Sequence, residues 1–409
     1  MNAIIGAGIT GLAAGMRNDA VIFERSQEVG GVARSFNFDG FWFDNTVHFL
    51  PITPEIDSEI IPLWDGFKKT KLNVFVDTGK EVLRYPFQLN LNGLKKEDII
   101  RSVEDFVNSP KEVETYKDFL LASFGRTMCE KFFFPYNEKS WKYPLDEMVS
   151  PGQVWNIDKP DLSSILRGIF ETQEGEFNNT GYYPVPAKGW RRRGIGLLPE
   201  ILSLRCKVRR EAEVVCIGDH RLIFRQRGQS DCFEFNKCLS TIPLPQLIGL
   251  CDSPAELRSE VRKLKWTRLS SVAVSVVGER PDMGHYRYYS NPEIPFNKIT
   301  FMHEFDPYSA PPYGYGLLIE VKDTDPDLKE ITRWLHKIGV IRETDVIVGQ
   351  RSWVVDPAYV IFTSDTLEII EACRDWLLKQ DITPLGRYGA WEYSSMAKNI
   401  KDGLNYDFS

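Results

Sequence analysis

Apolar residues open the chain in two short runs, Asn2–Ile5 and Ala20–Phe23, with glycines and a helical segment, Leu12–Met16, between them. This order predicts a strand, a helix and a second strand, the compact unit that begins a Rossmann-type sheet. Further along, between residues 93 and 135, apolar side chains recur with the helical period and predict a helical region.

Later in the chain the pattern changes to short runs that partly alternate and predict a mostly antiparallel sheet. A stretch rich in glycine, asparagine and proline, Glu174–Ala187, predicts a loop before these runs. Amphipathic helices are predicted over Leu328–Ile338 and Thr366–Leu378. The predicted strands are Val208–Ile217, Arg221–Arg225, Lys237–Ser240, Trp266–Val277, Tyr286–Tyr289, Lys298–Glu304 and Leu317–Val321.

These elements predict an α/β fold with three parts. A Rossmann-type, discontinuous dinucleotide-binding domain takes residues 1–50, 188–255 and 365–409. An inserted helical region for substrate binding takes 90–180, and an antiparallel-sheet substrate domain takes 51–89 and 256–364.

Composition excludes several functional classes. The chain is 43% hydrophobic and 26% charged, as globular proteins are, and it contains no apolar run long enough to span a membrane. With a net charge of −7, the chain lacks the positive field expected of a general nucleic-acid binder. The seven cysteines form no C-x-x-C pair and the five histidines have no ligand spacing, so we expect no metal site and a cytoplasmic location.

Gly6, Gly8 and Gly11 follow the first predicted strand as G-x-G-x-x-G, and Glu24 ends the second. In such a motif the glycines permit a tight turn and let backbone amides approach a pyrophosphate at the helix N-terminus, while the acid accepts hydrogen bonds from a ribose. A plain strand–turn–helix is the alternative. The strand before, the helix after and the placed acid together favour a dinucleotide site.

A second pattern follows Glu24: Gly30-Gly31-Val32-Ala33-Arg34-Ser35 and then Gly40-Phe41-Trp42-Phe43-Asp44. It resembles the FAD-binding start of the amine-oxidase-like flavoproteins, so the implied cofactor is FAD and the Rossmann-type domain is its binding domain. In that class a late unit, here Gly386–Gly389 and the helix Met396–Leu404, closes over the flavin, and its helix dipole favours an anionic reduced flavin. The implied cofactor-binding residues are Gly6, Gly8, Gly11, Glu24, Gly31, Arg34, Val214, Gly386 and Met396.

Three longer segments, 84–88, 134–141 and 386–393, resemble the UDP-galactopyranose mutase family, most closely its eukaryotic-type branch. The resemblance covers nearly the whole chain. A uracil offers a flat face for an aromatic ring and an amide-like edge for Gln or Asn. Each residue of the implied uridine pocket could equally belong to the core; the set is Tyr85, Phe87, Gln88, Asn137 and Trp141.

The same resemblance implies that Tyr288, Tyr359 and Tyr393 contact a diphosphate, although each could be a half-buried sheet residue. A phenol donates one hydrogen bond to a phosphate oxygen without adding charge. The implied catalytic residues are His48, on a loop beside the flavin, Lys298 and Arg387.

Some positions depart from the family, which holds the diphosphate and sugar with two arginines. Asn156 and Lys298 stand at the aligned positions, and a lysine lacks the bidentate fork while an asparagine lacks the charge as well. Arg167 or the run Arg191-Arg192-Arg193 is another source of charge, although such a run is more often a solvated basic patch. Thr46 and Val47 replace two glycines before His48, which puts the sugar and the reaction in question.

The resemblance implies a flavin-dependent nucleotide-sugar mutase. In that family reduced FAD isomerises a UDP-sugar between its pyranose and furanose rings through a flavin N5–sugar adduct, and NAD(P)H can serve as the reductant. The departures leave open a sugar other than galactose. The alternatives are an FAD-dependent oxidase or dehydrogenase of the amine-oxidase-like class and a binding protein without catalysis. Neither a nucleic-acid nor a membrane partner is expected.

Overall fold

The computed structural model describes residues 1–46, 49–149, 157–175 and 179–408. The strands in these ranges are β1 Asn2–Ile5, β2 Ala20–Phe23, β3 Ser35–Phe38, β4 Phe41–Asp44, β5 Leu50–Pro51, β6 Phe67–Lys71, β7 Val74–Asp77, β8 Val82–Arg84, β9 Thr180–Pro184, β10 Lys207–Arg209, β11 Ala212–Gly218, β12 Arg221–Gln226, β13 Gln229–Glu234, β14 Cys238–Ser240, β15 Lys265–Trp266, β16 Leu269–Val277, β17 Tyr286–Tyr289, β18 Lys298–Phe301, β19 Gly314–Val321, β20 Val346–Val355, β21 Val360–Ile361 and β22 Ile382–Pro384.

The α-helices in the same ranges are α1 Ile9–Arg17, α2 Lys96–Val107, α3 Tyr116–Phe124, α4 Arg126–Met128, α5 Phe134–Trp141, α6 Leu162–Arg167, α7 Leu197–Ser203, α8 Leu244–Leu250, α9 Ala255–Val261, α10 Met302–Phe305, α11 Leu328–Lys337, α12 Thr366–Leu378, α13 Gly386–Gly389 and α14 Met396–Leu404. A π-helical turn, Cys129–Phe133, joins α4 to α5. Within the described residues, no helix combines the length and apolarity needed to cross a bilayer.

A parallel five-stranded sheet in the order β10-β2-β1-β14-β22 contains the start and the end of the chain. Helix α1 follows β1 and packs against α14. The predicted strand–helix–strand opening is confirmed, and α1 is longer at both ends than the apolar pattern indicated. Buried aliphatic residues of β1, β2 and α1 form the core on both faces of this sheet, as parallel sheets require.

A seven-stranded sheet in the order β20-β16-β19-β18-β17-β7-β8 forms the second layer. Every pairing in it is antiparallel except that of β7 with β17, so the predicted mostly antiparallel sheet is confirmed. Helices α2 to α6 cover residues 96–167, and their aromatic core contacts the β7–β8 end of the sheet. The observed architecture is therefore the α/β fold with an inserted helical region that the sequence predicts.

Four element predictions are wrong in detail, and one of them is the strand Trp266–Val277, which is interrupted between β15, ending at Trp266, and β16, beginning at Leu269. The segment Glu174–Ala187 is not wholly a loop, because β9 lies inside it and pairs with β5 and β6. The predicted strand Val208–Ile217 is divided into β10 and β11 by Glu211, which has a left-handed φ of +57°. The predicted strand Lys298–Glu304 ends at Phe301, where α10 begins. Strand β20 was not predicted.

Candidate functional site

The glycine-rich turn between β1 and α1 has the geometry that its motif requires. Gly6 has a φ of +96°, which favours glycine, and a Cβ on Gly11 would lie 2.1 Å from the Gly6 carbonyl oxygen. Gly8 differs from both, because no described atom lies within 4 Å of the place where its Cβ would be. The backbone at the start of α1 therefore borders open space, as a bound pyrophosphate needs.

Glu24 is fixed at the end of β2 beside this turn. Its carboxylate accepts hydrogen bonds from the amides of Ala7 and Ser26, both at 2.9 Å, and the residue is only 8% exposed. The Ala212 amide donates to the Glu24 carbonyl at 2.8 Å and so ties the start of β11 to it. Val214, two residues further along β11, is buried. Glu24, the predicted acceptor for the ribose hydroxyls, and Val214 therefore lie on neighbouring segments.

The second glycine pair packs directly on the first turn. Gly30 pairs with Gly8, and a Cβ on Gly31 would lie 3.6 Å from the Gly8 Cα. The Arg34 guanidinium donates from Nε to the Gly31 carbonyl at 2.8 Å. These contacts bring the predicted pyrophosphate-binding residues to one cleft.

Gly386 brings the last strand–helix unit against α1. It has a φ of +78°, and a Cβ there would lie 2.4 Å from Thr10 Oγ1. Asn399 on α14 joins the two segments, since its Oδ1 accepts from Thr10 Oγ1 at 3.2 Å and from the Arg387 amide at 2.7 Å. Met396 begins α14 and is buried. The late unit therefore lies at the same end of α1 as the glycine-rich turn.

A row of polar residues crosses the seven-stranded sheet. Tyr288, Lys298, Glu320 and Ser271 are directly opposite one another on β17, β18, β19 and β16, and so share one face. Lys298 Nζ lies 3.0 Å from Glu320 Oε2, with side chains 16% and 13% exposed. A depression beside the row is also lined by Thr46. These residues therefore form a polar surface on one face of the sheet.

Lys322 is a candidate that the sequence reasoning missed. It lies two residues after Glu320 and directly follows β19, which ends at Val321. Its Nζ lies 3.1 Å from Glu320 Oε1 and 4.0 Å from the centre of the Tyr359 ring. The strand alternation was the available signal, but nothing in the sequence places Tyr359 against it.

The electrostatics of this group follow from burial and pairing. Burial by itself would raise the pKa of Glu320, but Lys298 and Lys322 outweigh it and hold that pKa at about 2. Burial lowers the pKa of Lys322 to about 8, although Glu320 opposes the shift. Burial by itself would lower the pKa of Lys298, but Glu320 together with the nearby tyrosines outweighs it, and that pKa is raised. One carboxylate thus keeps two buried lysines largely charged at neutral pH.

Arg387 packs against two tyrosine rings, one of which, that of Tyr359, also contacts Lys322. Its guanidinium carbon is 5.2 Å from the ring centre of Tyr359 and 4.9 Å from that of Tyr393. It donates to the carbonyls of Ser394 and Ala358 at 2.7 and 3.2 Å. Burial raises the pKa of both tyrosines, so their hydroxyls remain protonated donors. The structure therefore brings Arg387 and two predicted diphosphate ligands together.

Trp141 joins this aromatic group to the helical region. Its ring centre is 6.0 Å from that of Tyr359 and 5.8 Å from that of Tyr393. The indole Nε1 donates to Asn137 Oδ1 at 3.0 Å, and this oxygen also accepts from the Tyr116 hydroxyl at 3.0 Å. The Asn137 oxygen therefore orients two aromatic side chains, and its contact with a uracil stays a prediction.

The remaining predicted pocket residues differ in exposure. The Tyr85 ring centre lies 5.6 Å from that of Tyr288, beside the polar row. Phe87 is fully buried in the core of the helical region. Gln88 is also buried, and its Nε2 donates to the Asp158 carbonyl at 2.7 Å. Contacts of Phe87 and Gln88 with a substrate likewise stay predictions.

Two predicted site residues, His48 and Asn156, lie outside the described residues. The expected solvated basic patch is wrong for Arg193, which is buried and paired with Asp306, Nη2 to Oδ1 at 3.0 Å. The run is broken up because Arg193 points into the core to meet a carboxylate 113 positions away. Arg167 is exposed on α6.

Comparisons with known proteins agree with this architecture. Residues 4–67 match the NAD(P)-binding Rossmann-like domain family. The chain is similar to the crystal structure of reduced UDP-galactopyranose mutase, with a TM-score of 0.89 and 20% identity over 98% of this chain and 92% of that chain. The chain therefore has the fold of that enzyme, and the fold that the resemblance implied is confirmed.

Two other solved structures share the fold more loosely. One is a protein from Exiguobacterium sp. 255-15 assigned as a protoporphyrinogen oxidase, with a TM-score of 0.71 and 17% identity over 98% of this chain and 96% of that chain. The other is the CLA-producing fatty acid isomerase from P. acnes, with a TM-score of 0.63 and 15% identity over 99% and 97%. Different chemistries therefore occupy this fold, and function has to be argued from the site.

Proposed function

We propose that this chain, which has the fold of UDP-galactopyranose mutase, is a flavin-dependent nucleotide-sugar mutase that isomerises a UDP-sugar between its pyranose and furanose forms. The observation that carries the proposal is a group of three cations, the buried Lys322 and the partly buried Lys298 and Arg387, around the single carboxylate Glu320 and the Tyr359 ring. Such a group has an excess of positive charge that suits a diphosphate.

The dinucleotide cleft supports FAD as the cofactor. Open space at Gly8, the close approach of Gly31 and the anchored carboxylate of Glu24 leave room for a pyrophosphate and an acceptor for a ribose. Gly386 and Met396 would hold the flavin end of the cofactor from the late unit. Reduced FAD would supply a nucleophile for the anomeric carbon of the sugar, with no net oxidation of the substrate. We propose NAD(P)H as its reductant.

The aromatic residues support a nucleotide substrate. Tyr288, Tyr359 and Tyr393 are neutral hydroxyl donors near the cations, and each can give one hydrogen bond to a phosphate oxygen. Trp141 and Tyr85 offer ring faces for a uracil at the border of the helical region. Phe87, Gln88 and Asn137 support that pocket from within.

The protein's part in the reaction is orientation and charge placement. The cations stabilise the negative charge that grows on the departing UDP and keep the diphosphate close for its return. The buried tyrosines and Trp141 exclude water, which would hydrolyse a reactive sugar. No acid–base pair of carboxylates is required for this role. We assign His48 to the flavin side and Asn156 to the substrate side only by the resemblance.

An oxidase or dehydrogenase of the amine-oxidase-like class is the second candidate function. The observation in its favour is that the chain also shares its fold with a protein assigned as a protoporphyrinogen oxidase. Such an enzyme has no need for three clustered cations, unless its substrate is an anion. The replacement of flavin-side glycines by Thr46 and Val47 leaves room for this alternative.

The decisive experiment separates the two chemistries. Purified protein, loaded with FAD, is incubated with UDP-galactose and a panel of other UDP-sugars, once oxidised and once reduced with dithionite, NADH or NADPH. We expect an isomer of equal mass only in the reduced samples, separated by chromatography. Lys298→Met should weaken UDP binding, while the exposed Lys329→Met is the matched control. Flavin bleaching by a substrate in air, with peroxide formed and no isomer, would instead establish the oxidase.

A further inference from the structure

Lys322 is a buried lysine, and burial of a charged side chain is unfavourable unless other groups compensate the charge. Its side chain is 3% exposed, and its Nζ lies 3.1 Å from Glu320 Oε1. Apart from this ion pair, no described atom accepts a hydrogen bond from Nζ. A buried ammonium with unused donors is unfavourable unless a ligand meets it. The side chain therefore presents unused hydrogen-bonding capacity inside the protein.

The groups facing Lys322 come from three different elements. Glu320 lies on β19, Lys298 on β18 and Arg387 on α13, and the Tyr359 ring packs against the ammonium at 4.0 Å. Three cations against one carboxylate leave an excess of two positive charges among these four groups when all are ionised. A dianionic or trianionic group is the ligand that would balance this excess.

We infer that Lys322, which directly follows β19, is a second cationic ligand of the substrate diphosphate and acts beside Lys298. The inference rests on the proposed function and names how this chain holds the phosphates. Glu320 is then a positioning residue, because it bonds both lysines and fixes the distance between them. The arrangement supplies, from the end of β19, a charge that the resemblance places at Asn156.

The test compares Lys322→Met and Lys322→Arg with the wild type in the FAD-loaded protein. Binding of UDP and of UMP is measured by calorimetry at pH 7, with Lys329→Met as the exposed control. Loss of one charge-assisted contact should weaken UDP binding roughly 10- to 100-fold in Lys322→Met. UMP binding should fall less, because UMP lacks the second phosphate. The arginine variant should retain most of the UDP affinity.

A pH series separates a ligand from a merely structural residue. Burial lowers the pKa of Lys322 to about 8, so wild-type UDP affinity should fall as the pH rises above that value. An arginine stays charged, so the fall should disappear in Lys322→Arg. This readout remains even if Lys322→Met fails to fold.

The outcomes are distinct for the two proposals. Wild-type protein that binds no UDP would overturn the proposed function and the inference with it. Wild-type protein that binds UDP tightly, while Lys322→Met binds it equally well, would overturn only the inference. An unchanged pH dependence in Lys322→Arg would do the same.

Discussion

Lys298 and Glu320 face each other across adjacent antiparallel strands, with Nζ and Oε2 3.0 Å apart and both side chains largely buried. The other carboxylate oxygen of Glu320 lies 3.1 Å from Lys322. One glutamate therefore compensates two buried cations. Removing its charge would leave those cations facing each other.

Glu320→Gln should destabilise the protein by about 3 kcal/mol, since breaking a buried ion pair leaves an uncompensated buried charge. Urea unfolding of the wild type and the variant measures this difference. The control is Glu260→Gln, which breaks an exposed pair with Lys263 and should change stability by less than about 1 kcal/mol. Equal losses in both variants would contradict the role given to Glu320.

Asp44 should make stability fall as the pH rises. Burial raises its pKa to about 7, although the side chains of Ser35 and Tyr183 and the amide of Ile195 donate to it. The folded-state pKa lies above the ordinary value of about 3.9, so the stabilising contribution is complete below pH ~4 and is lost as the pH rises through about 7.

Asp44→Asn cannot titrate and tests this directly. The free energy of unfolding of the wild type should fall between about pH 4 and pH 7 relative to that of the variant. The exposed Asp252→Asn is the control, and its pH profile should stay parallel to that of the wild type. Parallel pH profiles for the wild type and Asp44→Asn would show that Asp44 is already ionised at pH 5.

Gly386→Ala should lower the free energy of unfolding by more than the strain of a left-handed φ alone would. The new Cβ would lie 2.4 Å from Thr10 Oγ1, so the late unit must move away from α1. Gly339→Ala is the matched control, because Gly339 has a φ of +71° but open space at the Cβ position. We expect about 1 kcal/mol for the control and at least twice that for Gly386→Ala in denaturant unfolding. Similar values would mean that the close contact relaxes freely.

Gly8→Ala separates cofactor binding from folding. Gly8 has an ordinary negative φ and open space where its Cβ would be, so apoprotein stability should change by less than about 0.5 kcal/mol. If the pyrophosphate occupies that space, flavin affinity should fall at least roughly tenfold, as measured by flavin fluorescence on titration. Gly249→Ala, also in open space, should leave flavin binding unchanged. Full flavin retention in Gly8→Ala would place the cofactor elsewhere.

The parts of the fold that the sequence predicts are those with local causes. The opening strand–helix–strand is fixed by adjacent apolar runs and by Gly6 and Gly11, which no other residue replaces without strain. Strand β9 was predicted as a loop because its composition favours turns, and its partners β5 and β6 lie far away in the chain. The strand conformation of this segment therefore depends on long-range pairing, which local composition does not indicate.

The same division holds for the candidate site. Gly6, Gly8 and Glu24 stand out by spacing alone. Lys322 does not, because its importance comes from Tyr359 and Arg387, which the fold brings from later segments. The prediction that Arg193 is solvated was wrong for the same reason, because the local sequence does not show that Asp306, far along the chain, is its partner.

The position of β22 has a consequence for synthesis of the protein. This short strand comes near the end of the described chain, yet it covers the open edge of β14 in the parallel sheet. While the ribosome makes the whole antiparallel sheet, that edge stays unpaired on the nascent chain. Translation that stalls before residue 382 therefore leaves an edge that other chains can pair with, and such edges promote aggregation. Once Ile382–Pro384 has paired, the edge of the sheet is a strand of only three residues that ends in a proline, which has no amide to donate to another chain.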